Sequence, residues 1–155
     1  MNLYLLRHAD AATVAETDEA RCLSEKGLEQ AKKVARLCEV QRLQLSLVLT
    51  SPVRRAHETA LIVSAHLRTK IQVVPWLACG AEPDQVLHEL RSFAAESDVM
   101  LVGHEPDFSL LAAHLLGLPA TASIRVRKAS LTRIEMDALQ PGTGRLQFSV
   151  PCKFL

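Results

Sequence analysis

Aromatic residues are scarce in this chain of 155 residues: one tryptophan, one tyrosine and four phenylalanines. Net charge is nearly absent too, with 18 Lys+Arg against 17 Asp+Glu giving +1, so no overall field recruits nucleic acid or an anionic membrane. Any preference for phosphate must be local. No apolar run is long enough to span a bilayer. No basic segment followed by an apolar one opens the chain, which argues against a secretory leader and sets the expectation of a cytoplasmic protein. Cys22, Cys38, Cys79 and Cys152 lack the close pairing of a zinc site or a disulfide framework, so reduced thiols and no metal are expected. Repeats, linkers and low-complexity tracts are missing, and the length suits one domain over residues 1–155.

What is present is an alternation of strand and helix. Leu3 to Leu6 is an apolar strand running into Arg7-His8-Ala9-Asp10. Ser24 is placed to cap a helix bearing Leu28, Ala31, Val34, Ala35 and Cys38 at helical spacing. Leu45–Thr50 is a second strand, and Ser51-Pro52 leads into a helix with Ala56, Ala60, Val63 and Leu67, the proline in its first turn. Ile71–Val74 and Val99–Val102 are further strands, followed or separated by helices over Asp84–Ala95 and from Pro106 through Leu110, Leu111, His114 and Leu115. Ala129–Met136 and Leu146–Val150, joined around Pro141-Gly142-Thr143-Gly144, read as a hairpin. Together these predict a three-layer α/β/α sandwich, mainly parallel in its central sheet, with an antiparallel C-terminal edge.

Ligands of such sheets bind beyond the carboxyl ends of the strands. Three polar clusters fall there: Arg7-His8, Ser51 to Arg55, and Gly103-His104. A neutral histidine can attack phosphorus while arginines balance the equatorial oxygens, and a second histidine can donate a hydrogen bond as charge redistributes. Two histidines and two arginines make a phosphoryl-transfer pocket that needs no cofactor. An ordinary histidine nucleophile, with a pKa of about 6.5, would lose activity as the solution becomes acid.

Leu6-Arg7-His8-Ala9, Ser51-Pro52-Val53-Arg54-Arg55-Ala56-His57-Glu58-Thr59 and Val102-Gly103-His104-Glu105-Pro106 resemble the motifs of the histidine phosphatase superfamily, also called phosphoglycerate mutase-like. Asp10, Leu23-Ser24-Glu25-Lys26-Gly27 and the Gly-His-Glu-Pro form look most like its SixA-type phosphohistidine phosphatases. The resemblance covers nearly the whole chain. It implies that His8 is the phosphorylated nucleophile, that Arg7 and Arg55 bind the phosphoryl oxygens, and that His104 is the second histidine. The family's arginine directly precedes alanine and is therefore Arg55; Arg54 would point about 100° away on a helix.

Two departures stand out. Ala9 replaces the usual glycine, which predicts strain of about 1 kcal/mol if the backbone there is left-handed. Mutase-like members carry a glutamate acid after the third strand, where this chain reads Trp76-Leu77-Ala78-Cys79-Gly80. Glu82 and Asp10 remain candidate acids, each also readable as an ordinary carboxylate at a loop or helix start. An imidazole leaves with little protonation, so a missing acid favours phosphohistidine on a protein, such as a phosphotransfer domain, over a phosphate ester. Short connections predict an open pocket suited to a protein side chain. The alternatives are a phosphatase of a small-molecule ester and a non-catalytic phosphoprotein-binding module. Trp76, after Pro75 at the expected pocket edge, reads either as core or rim packing or as a contact for substrate, and Arg125, Arg127 and Lys128 are either a solvated strand edge or a contact for an acidic partner. His57, His66, His88 and His114 fall in helical patterns without zinc spacing.

Overall fold

A computed structural model describes residues 1–119 and 124–155. Strands and helices alternate as β1 (Asn2–Arg7), α1 (Glu25–Val40), β2 (Leu47–Thr50), α2 (Arg54–Leu67), β3 (Ile71–Val73), α3 (Pro83–Leu90), β4 (Asp98–Gly103) and α4 (Asp107–Leu115). The hairpin β5 (Leu131–Met136) and β6 (Gly144–Val150) follows. The sheet order is β3-β2-β4-β1-β5-β6. The first four are mutually parallel; β5 runs antiparallel to β1, and β6 antiparallel to β5.

Central β1 is buried on both faces, which is why its sequence is continuously apolar rather than alternating. Leu3 and Leu5 join a core with Leu87 and Leu90 of α3 and Phe108 and Leu111 of α4. Tyr4 and Leu6 point the other way, into a core with Ala31, Val34 and Ala35 of α1 and Ala56 and Ala60 of α2. Helices therefore cover both faces, as the alternation predicts. Register then assembles the site. Arg7 lies opposite Gly103 and Thr50 opposite Val102, so His8, Ser51 and His104 leave neighbouring strands at one edge.

Some expectations need correction. Leu28 is 40% exposed, and Gly27 takes its place on the inner stripe with Ala31, Val34, Ala35 and Cys38. The reason is contact: a Cβ at Gly27 would overlap the carbonyl oxygen of Asp10, so only glycine lets the first turn of α1 press on the loop after His8. Pro52 precedes α2 instead of opening it, because the Ser51 hydroxyl accepts from Val53 N–H and holds the turn before the helix. The third helix ends at Leu90 and continues only as a 3₁₀ turn over Arg91–Phe93. Leu110 and Leu146 face outward, the latter on the edge strand β6. Among the described residues no helix is long and apolar enough to cross a membrane.

Candidate active site

His8 follows β1 directly and is 7% exposed. Its Nδ1 lies 2.7 Å from the carbonyl oxygen of Ala9, an acceptor, so Nδ1 carries the ring proton and Nε2 keeps its lone pair. Arg55 Nε approaches that lone pair at 3.4 Å. Burial, above all, pushes the pKa of His8 down to about 3, and the ring is neutral well below pH 6.5. Loss of activity through its protonation accordingly moves to lower pH than an ordinary histidine implies.

The backbone here is fixed from several sides. His8 N–H donates to Gly103, and Ala129 N–H donates to the carbonyls of Arg7 and His8. Ala9 N–H donates to the Thr59 hydroxyl, which donates in turn to the carbonyl of Arg55. Thr59 thus couples the first motif to the second. Ala9 is fully buried, and its φ is not positive; the left-handed alanine is Ala129, at φ 51°. The strain conditional on a left-handed Ala9 therefore does not arise, and left-handed strain falls instead on Ala129, which bonds to the Arg7 and His8 carbonyls.

Arg55, not Arg54, reaches His8. Arg54 turns to solvent and pairs with Glu58 at 2.8 Å, while Glu58 also accepts from Leu23 N–H at 2.7 Å. Arg55 Nη1 donates to the carbonyl of Asp18 at 2.7 Å and Nη2 to its carboxylate at 2.9 Å. Asp18 gives no signal in sequence, being one carboxylate in a polar loop. Arg7 donates from Nη1 to the carbonyl of Val126, leaving its buried Nε without a partner among the described residues. His104 is 2% exposed, its ring 5.3 Å from that of His8. Burial and the nearby Arg55 charge lower its pKa to about 4. One nitrogen, Nε2, meets the Ser51 hydroxyl at 2.8 Å; Nδ1 is unpartnered among the described residues.

Of the nearby carboxylates, Asp18 reaches the group through Arg55, whereas Asp10 and Glu82 make no hydrogen bond to Arg7, His8, Arg55 or His104. Asp10 accepts from Lys128 at 2.7 Å and from the Ser24 hydroxyl at 2.8 Å, and the Lys128 bond chiefly holds its pKa below the ordinary range. Asp18 is lowered likewise, by its bonds to Arg21 and Arg55. Both are anions at neutral pH. Glu82 is exposed just before α3, with no hydrogen bond to Arg7, His8, Arg55 or His104. Where mutase-like proteins are expected to carry their glutamate, Cys79 Sγ sits 3.7 Å from Arg55 Nη2, on a turn pinned by the Gly80 N–H bond to Asp107. Burial raises the Cys79 pKa, so the thiol is neutral. Among the described residues no group of three or more His, Cys, Asp or Glu side chains converges as metal ligands would.

A buried neutral imidazole with the Arg55 guanidinium against it and a second buried histidine ring 5.3 Å away matches the arrangement expected of a phosphoryl-transfer pocket. The family model described as histidine phosphatase superfamily (branch 1) matches residues 3–78. The phosphohistidine phosphatase SixA of Escherichia coli is 27% identical over 98% of this chain and 95% of its own. An uncharacterized protein of Picosynechococcus is 33% identical over 95% of this chain and 89% of its own. A solved structure of SixA complexed with tungstate superposes with a TM-score of 0.89 at 23% identity, covering 99% of both chains. With the fold, the strand-end motifs and full-length relatives in agreement, the chain belongs to the histidine phosphatase superfamily, branch 1.

Proposed function

We propose that this protein is a phosphatase that removes the phosphoryl group from phosphohistidine on another protein, through a phosphorylated His8. His8 Nε2 attacks phosphorus as the bond from phosphorus to the substrate imidazole breaks, and the departing nitrogen takes a proton from solvent. Water then attacks phospho-His8, releasing inorganic phosphate and restoring the Nε2 lone pair. Arg7 and Arg55 balance the equatorial oxygens, and neutral His104 contributes an N–H as charge redistributes. Asp18 holds Arg55 in place.

The observation that carries the substrate class is the tied-down state of the carboxylates around a neutral nucleophile. Asp10 and Asp18 are ion-paired anions and exposed Glu82 makes no hydrogen bond to the site, so among the described residues no carboxylic acid is placed to protonate a poor alkoxide leaving group. An imidazole leaving group departs with little help and can take its proton from solvent. Full-length similarity to the E. coli SixA supports the same reading. One sheet that gathers every strand among the described residues supports residues 1–155 acting as a single domain, and four free thiols favour a reducing compartment such as the cytoplasm.

Phosphate release from a histidine-phosphorylated phosphotransfer domain, compared with release from an alkyl phosphate, tests the reading. The phosphohistidine protein should turn over while the ester stays at background. Preference for the ester would reassign the enzyme to small-molecule phosphates, with Glu82 or Asp10 as acid. Tight binding of the phosphoprotein without release would make it a binding module.

A further inference from the structure

Beside the phosphate-binding Arg7 lies a groove of about 580 Å³ whose cationic lining comprises Arg7, Lys26, Arg125, Arg127, Lys128 and Lys153. Only Asp10 and Glu105 oppose them, an excess of four positive charges in a chain whose formal total is +1. Both carboxylates are already engaged, Asp10 by Lys128 and Glu105 by the Ser109 hydroxyl. Lys26, Arg125, Arg127 and Lys153 are exposed, and among the described residues none has a carboxylate partner. They come from three places: the start of α1, the segment before β5 and the C-terminal turn. That segment is tied to the catalytic edge, since Val126 accepts from Arg7 and Ala129 donates to the carbonyls of Arg7 and His8.

We infer that this groove docks an acidic stretch of the protein that presents the phosphohistidine, an inference that rests on the proposed function above. A site for one further phosphate would need buried, converging donors; these cations are spread along the groove and reach solvent, as suits several carboxylates in a row. Because the groove shares Arg7 with the pocket, its occupant belongs to the molecule whose phosphoryl group is bound. Among the described residues no aromatic ring lines it, so it lacks the stacking platform of a single-stranded nucleic acid groove.

Two synthetic phosphohistidine peptides test this, one flanked by four glutamates and one by four glutamines. At low salt kcat/KM should favour the glutamate peptide by about tenfold, falling toward equality at about 0.5 M salt. In Arg125→Glu/Arg127→Glu the ratio should drop to one or below. Lys32→Glu/Arg36→Glu, the same charge change on the outer side of α1, should keep the wild-type ratio. Taking a ratio cancels any loss common to both peptides, including partial misfolding. Equal turnover of the two peptides by wild type sinks the groove alone, whereas turnover of neither sinks the phosphohistidine reading and the groove with it. Stronger inhibition by a single-stranded oligonucleotide than by the unphosphorylated glutamate peptide would overturn the assignment in favour of nucleic acid.

Discussion

Keeping two imidazoles neutral and buried makes the stability of this fold depend on pH in a way that can be measured. His8 is 7% and His104 2% exposed, with pKa values pushed down to about 3 and about 4, burial being the main cause in each. An unfolded histidine titrates near 6.5, so the unfolded chain takes up protons that the native one refuses. Both folded values are lowered; stability is therefore full above pH ~6.5 and falls as the solution becomes acid, by about 1.4 kcal/mol per pH unit per ring. From pH 7 to pH 5 each ring costs about 2 kcal/mol and the pair about 4 kcal/mol. The lowered carboxylates Asp10, Asp18 and Glu29 act in the same direction, but only below about pH 4.5, where unfolded carboxylates begin to protonate. Urea unfolding of wild type and His8→Gln at pH 7, 6 and 5 reads the effect. The variant should lose about 2 kcal/mol less than wild type over that range, whatever its stability at pH 7. Parallel pH slopes for the two proteins would refute a neutral, buried His8.

Asp18→Asn should weaken the hold on Arg55 while leaving its bond to the Asp18 carbonyl. Steady-state kinetics should show a loss of several-fold to about tenfold in kcat/KM, chiefly through KM; unchanged kinetics would deny Asp18 a positioning role. Ala9→Gly restores the family's glycine, yet with no positive φ to relieve it should lower stability by about 0.5–1 kcal/mol in thermal or urea unfolding. A stabilised variant would show that position 9 is the strained one.

Much of this site is legible in the sequence because its chemistry sits at strand ends. A short apolar run followed at once by Arg7-His8 or Gly103-His104 needs only correct register to bring the motifs together, and the parallel pairing of β1, β4 and β2 supplies it. The choice of Arg55 over Arg54 follows from helical geometry, and the two side chains diverge as that geometry requires. Long-range supports leave no local pattern. Asp18 meets Arg55 across 37 residues and looks in sequence like any loop carboxylate. Gly27 is legible as part of a motif, but only packing reveals why a side chain there is excluded and why Leu28 turns outward. The same holds for Ala129, whose left-handed backbone is imposed by bonds to the residues it supports. The depressed histidine pKa values arise from depth, which periodicity does not measure.

The central claim is that His8 carries the phosphoryl group. Rapid alkaline quench of wild type mixed with a ³²P-labelled phosphohistidine protein should trap acid-labile phosphate on His8 within the first turnover, and His8→Ala should show neither label nor phosphate release. Full turnover with no label at His8, or activity retained in His8→Ala, would contradict it.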